Sequence, residues 1–155
     1  MLRHAGTIRL SEMLQPMGWR FDNMIRRSDK EICDLLVKSR QRLSAAHLLC
    51  KEGLYEDAVN RAYYAMYLSA LALLRRKGIQ VKTHAGLIAA IGSAYVQTGE
   101  LAPEHGRALN LAEELREEVE YTICRTISRE EAASVIVKAH DFALAAEHII
   151  AGTAH

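Results

Sequence analysis

Asp57, Asn60, Arg61 and Tyr64 recur at the three-to-four spacing that stacks side chains along one face of an α-helix. A planar guanidinium grips phosphate oxygens in pairs, and an amide beside it can donate and accept at once. Some twenty residues on, Lys82 and His84 stand where another periodic segment begins. A helix start offers unpaired N–H groups and the positive end of the dipole, both favourable to an anion. Together these residues describe a cleft in which Asn60, Arg61, Lys82 and His84 hold a phosphate. Two simpler readings stand beside it. The stripe is also what a solvated face looks like, with an Asp57–Arg61 pair worth a few tenths of a kcal/mol, and His84 also suits a helix cap.

Other chemistries find no support. None of the seven histidines has Glu three residues before it, so the Glu-x-x-His pair of di-iron bundles is missing. His-x-x-x-His, Cys-x-x-Cys and the glycine-rich phosphate loop are missing too, and neither metal nor cofactor is expected. Arg42 and His47 lie five apart in the manner of some metal-independent ribonucleases. On one helix, however, they fall near opposite sides, and His47 is read as covering a bundle edge.

The elements that must position these residues are helices. Ser28 or Asp29 caps a first helix whose stripe is Ile32, Leu35, Leu36, Ser39, Leu43, Ala46 and Cys50, with Gly53 as stop. A second runs from about Tyr55 to Lys77. Its apolar side is Val59, Tyr63, Met66, Ala70, Leu73 and Leu74, with Tyr67 toward the same side, and the polar stripe lies nearly opposite. Thr83 caps a third, carrying Leu87, Ile88, Ile91, Ala94 and Tyr95. A fourth, from about Pro103 to Cys124, aligns Ala108, Leu111, Ala112, Leu115 and Val119. The fifth opens with a Ser128–Glu131 capping box and aligns Val135, Ile136, Ala139, Phe142 and Ala146. Short connections and the lack of period-two alternation predict an all-α, up-and-down antiparallel bundle of four to five helices. The expected organisation is an irregular basic extension over 1–28 and one helical domain over 29–151.

With 155 residues, half of them apolar and a quarter charged, the chain suffices for one core. Its formal charge of +1 gives little long-range attraction to a polyanion, so a nucleic-acid contact must be local. Five arginines against Glu12 and Asp22 make residues 1–27 basic, the composition of a solvated arm. No stretch reads as a signal peptide or membrane span, which places the chain in the cytoplasm. Cys33, Cys50 and Cys124 are expected as buried, reduced thiols.

The run Tyr55-Glu-Asp-Ala-Val-Asn-Arg-Ala-Tyr-Tyr-Ala-Met66, then Lys82-Thr-His-Ala-Gly-Leu87 and Leu115-Arg-Glu-Glu-Val-Glu-Tyr121, resembles the HEPN family (higher eukaryotes and prokaryotes nucleotide-binding domain), in its small stand-alone prokaryotic group. The resemblance covers roughly residues 30–150. It implies a four- or five-helix bundle, homodimers, pairing with a minimal nucleotidyltransferase in toxin–antitoxin operons and, in many members, ribonuclease activity. Those ribonucleases carry a late Arg-x(4–6)-His motif, the arginine steadying the phosphate and the histidine moving a proton for attack by the RNA 2′-hydroxyl. Here Arg116 is followed by Tyr121, a poor base at neutral pH. The two diverge by about 140° on a straight helix, so a shared site needs a second helix or chain.

The candidate ligand-binding set is therefore Asp57, Asn60, Arg61, Tyr64, Lys82, His84, Arg116 and Tyr121, with no catalytic residue assigned. Three functions compete: a module binding nucleotide or RNA beside a nucleotidyltransferase, a metal-independent endoribonuclease toxin, and a non-catalytic dimerisation adaptor. A homodimer is expected because Ala62, Ala65, Ser69 and Ala72 form a shallow face that another helix could approach. Glu113, Glu114, Glu117, Glu118 and Glu120 read as a solvated acidic face, or a docking surface for a basic partner.

Overall fold

The computed structural model describes the backbone of residues 19–152 and the side chains of 27–152. Within them run α1 (Trp19–Lys51), α2 (Tyr55–Arg76), α3 (His84–Ile91), α4 (Pro103–Tyr121) and α5 (Arg129–Ala151). The all-α bundle expected from periodicity is what forms. Residues 1–18 of the basic extension lie outside the described residues, but its last ten are helical.

That earlier start corrects the expected N-cap. Ser28 and Asp29 lie inside α1, because a capping side chain starts a helix only where the residues before it cannot continue one. No Gly or Pro falls between Gly18 and Gly53, and Lys30 pairs with Asp34 one turn on at 2.8 Å, so the helix runs through. Gly53, at φ +80°, then reverses the chain into α2.

α1 and α2 form the longest seam. Ser39, almost fully buried, donates to the Ala65 carbonyl at 2.7 Å and lies 2.7 Å from the Ser69 hydroxyl. Ala62, Ala65, Ser69 and Ala72 are all fully buried within the one chain. The face assigned to a homodimer contact is thus consumed by the chain's own bundle. Small side chains let two backbones approach, and the nearest helix, α1, takes the place. The argument for a dimer through these residues falls.

α5 packs over α2 and α1, with Ala132 beside Val59 at one end and Arg76 donating to the Ile150 carbonyl at the other. α2 and α5 therefore run the same way, and α1 and α4 the opposite way. Tyr63, Met66, Leu73, Leu74, Leu87, Ile91, Leu109 and Phe142 fill the core.

The caps at Thr83 and Ser128 form as read: Thr83 accepts from the Gly86 N–H at 2.9 Å, and Ser128 and Glu131 make both bonds of the capping box. A Cβ at residue 86 would lie 2.9 Å from the Thr83 hydroxyl, so glycine is what lets the cap close. After α3 the chain widens into a π turn, Gly92–Val96. Within it Tyr95 turns fully inward and donates to the Leu73 carbonyl. Leu111, placed on the α4 core stripe, is instead 52% exposed. The cysteines are free, but Cys33 and Cys124 are exposed rather than buried. Among the described residues no helix is long and apolar enough to cross a membrane.

Candidate functional site

Three helices bring their polar residues to one place. α2 contributes Asp57, Asn60, Tyr63, Tyr64 and Tyr67, α4 contributes Glu113, Arg116 and Glu120, and His84 arrives at the first position of α3. The Thr83 cap fixes where that histidine stands, since the cap sets the entry of the chain into α3.

At the centre is Glu113, a carboxylate left only 7% exposed between α4 and α2. Burial is the largest influence and acts against its charge. Two bonds from Arg116, Nε at 2.9 Å and Nη2 at 3.0 Å, with help from the Tyr63 hydroxyl and His84, outweigh it and hold the carboxyl below its ordinary value. Arg116 is correspondingly locked in its charged form, chiefly by Glu113, and its Nη1 reaches Glu120 at 2.8 Å. The guanidinium also lies over the rings of Tyr63 and Tyr64, 5.2 and 5.9 Å from their centroids.

The Tyr63 hydroxyl stands 2.6 Å from His84 Nδ1 and feels the Glu113 charge. Burial first, then the Glu113 charge, push Tyr63 well above the ordinary tyrosine value, so it stays protonated. Either the hydroxyl or Nδ1 donates across that contact, according to the imidazole tautomer. The His84 side chain is 36% exposed, and its ring packs on Tyr67 at 4.8 Å and Tyr63 at 5.6 Å. His84 Nδ1 is also 3.7 Å from Glu113 Oε1, a pairing that strengthens whenever the ring is protonated.

Beside this cluster opens a groove of about 320 Å³ lined by Glu56, Asp57, Val59, Asn60, Tyr64, Arg116, Val119 and Glu120. Of the eight residues singled out in the sequence, Asp57, Asn60, Tyr64 and Arg116 line it, and His84 sits 6.1 Å from Tyr64, ring to ring. Lys82 is exposed just ahead of the α3 cap and does not line the groove. Two others do not join either. Arg61 is exposed and outside the groove, because one residue beyond Asn60 is about 100° round the helix. Tyr121, the last residue of α4, is 79% exposed and points away from Arg116 as the 140° divergence requires.

Sequence reasoning missed Glu113 and the functional end of Tyr63. Glu113 was one glutamate among five on a helix read as a solvated face, and only its place three residues before Arg116 hinted otherwise. Tyr63 is in the core as expected, yet its hydroxyl reaches the site.

Comparison with known proteins agrees with this architecture. The HEPN domain model matches residues 32–149, and the chain belongs to that family. A protein of Methanocaldococcus jannaschii named "Putative toxin" is 40% identical over 113 residues, 73% of this chain and 84% of that one. A second of the same name and organism is 32% identical over 75% of this chain and 79% of its own length. A Thermotoga maritima protein named UPF0332 is 34% identical over 73% of this chain and 86% of its own.

Proposed function

We propose that the chain is the toxin-type HEPN module of a two-component system, binding RNA or a nucleotide at the α2–α3–α4 cluster and acting with a minimal nucleotidyltransferase partner. The observation that carries the reading is that His84 and Arg116, 32 positions apart, meet on the same buried carboxylate beside an open groove. The toxin names of two relatives support the system, and family membership supports the partner and a homodimer. The groove itself is acidic, with Glu56, Asp57 and Glu120 against Arg116. Its walls suit a base, which Tyr64 can face and Asn60 and Asp57 can hydrogen-bond. The phosphate then belongs on the His84 and Lys82 side, at the start of α3.

Titration with nucleotides and short RNAs at two salt concentrations tests this. Wild-type binding weakens as salt rises. His84→Ala loses about ten- to a hundredfold, the effect of one charge-assisted contact of about 1.5–3 kcal/mol, while Arg61→Ala loses little. Equal binding by all three proteins, or none by any, refutes the site.

A second reading, the metal-independent endoribonuclease, gains support from the contacts of His84 with Tyr63 and Glu113. The late histidine missing after Arg116 would be replaced by one from α3, oriented through Nδ1 and, in the tautomer protonated there, with Nε2 free to take the proton of a 2′-hydroxyl. Cleavage of RNA in the presence of a chelator, abolished by His84→Ala and slowed by Tyr63→Phe, would establish it over simple binding.

A further inference from the structure

On its other side, α4 meets α5 along an open groove of about 520 Å³ that the nucleotide-site reading does not use. Its floor is apolar. Ala108 and Ala112 are too small to fill the space above Met66, and Leu111, Leu115 and Val135 form the walls. Leu111, 52% exposed, stands at the lip. From Ala108 to Glu118 the groove follows eleven residues of α4, about 15 Å or roughly three turns of a helix.

The rim is acidic: Glu114 and Glu118 on α4 face Glu130 and Glu131 on α5. Glu118 and Glu131 share Arg125 at one end, and Glu114 accepts only a neutral amide bond, from Asn110 at 2.9 Å. Glu114 and Glu130 have no ion pair among the described residues, and Lys138 is the one cation lining the groove. An apolar trough edged by four carboxylates, two of them without a cation among the described residues, complements a helix with apolar residues along one face and lysines or arginines beside them.

We infer that the α4–α5 groove docks a basic amphipathic helix of a partner protein, its apolar residues at i, i+3 or i+4 and i+7 seated over Met66 and its cations on Glu114, Glu118 and Glu130. Among the α1 side chains described, the exposed apolar ones, Val37 and Leu48, lie eleven positions apart with Gln41 and Ser44 between them on that face and make no continuous stripe.

The test uses two synthetic 18-residue helical peptides with the same leucine stripe, one flanked by lysines and one by glutamates, followed by fluorescence anisotropy on the full chain. The lysine peptide binds wild type. It loses about tenfold in affinity for Glu114→Lys/Glu130→Lys and about fivefold for Leu111→Ser, and it keeps its affinity for Glu104→Lys/Glu117→Lys, which changes net charge equally outside the groove. Unchanged helicity and melting temperature show that the half-exposed positions leave the fold intact. The inference is overturned if the lysine peptide does not bind, if the glutamate peptide binds as well, or if the control variant loses as much as the groove variants. It is overturned too if sedimentation shows the free chain self-associating and Leu111→Ser abolishing that, which would give the groove to a second copy.

Discussion

The two faces of α4 carry neighbouring glutamates with opposite fates. Glu113 turns toward α2, where it is nearly enclosed, bonded twice by Arg116 and 3.7 Å from His84 Nδ1. Glu114, one residue and about 100° further round, stands on the rim of the α5 groove with no cation on it among the described residues. The same side chain is an internal anchor in one place and a solvated charge in the other. Burial and partners decide what a carboxylate does, and a run of acidic residues in a sequence contains both kinds.

The sharpest way to break this comparison is Arg116→Ala. Removing the guanidinium leaves Glu113 enclosed without its main partner, and we expect a loss of about 3 kcal/mol in urea unfolding, the scale of an uncompensated buried charge. Arg116→Met with Glu113→Leu should recover most of it. The pH dependence has a fixed sign. Glu113 has a lowered carboxyl in the folded chain, so its contribution is present above the ordinary glutamate value near 4.5 and is lost as pH falls below it. Wild type should therefore lose stability in that acid range more steeply than Glu113→Gln. Parallel curves would mean that Glu113 is no anchor.

Tyr63→Phe is a smaller cut on the same face. It removes one hydroxyl from a buried ring, and we expect about 1 kcal/mol by thermal or urea unfolding. Its alkaline signature is clearer. The folded tyrosine titrates above its unfolded value near 10, so stability present below pH 10 falls as pH rises past it, and the phenylalanine variant should lack that part of the decline.

The smallest effect belongs to the outer face. Glu114→Lys should change stability by no more than about 0.5 kcal/mol, because an exposed side chain with one neutral hydrogen bond has little to lose. A loss as large as that of Tyr63→Phe would erase the distinction between the faces.

Much of the fold was legible in the chain because it is local. The Thr83 cap, the Ser128–Glu131 box and the buried stripe of Val59, Tyr63, Met66, Ala70, Leu73 and Leu74 depend on residues a few positions apart. About half of the site was legible for the same reason. Asp57, Asn60 and Tyr64 share a helix face, and the groove inherits them from that face. Arg61 belonged to the same spacing pattern yet falls outside, since a stripe drawn at three-to-four spacing spans more of the helix than the contact with α4 covers.

What the sequence determined by itself was the all-helical class, the caps at Thr83 and Ser128 and most of the apolar stripes, because turns, caps and periodicity are set within one or two helical turns. Only the tertiary structure decided which helix meets which. That choice spent Ala62, Ala65, Ser69 and Ala72 on α1, enclosed Glu113 while leaving Glu114 in solvent, brought His84 to Arg116 and left Tyr121 outside. Each of these is a contact between segments distant in the chain, fixed by how whole helices pack together.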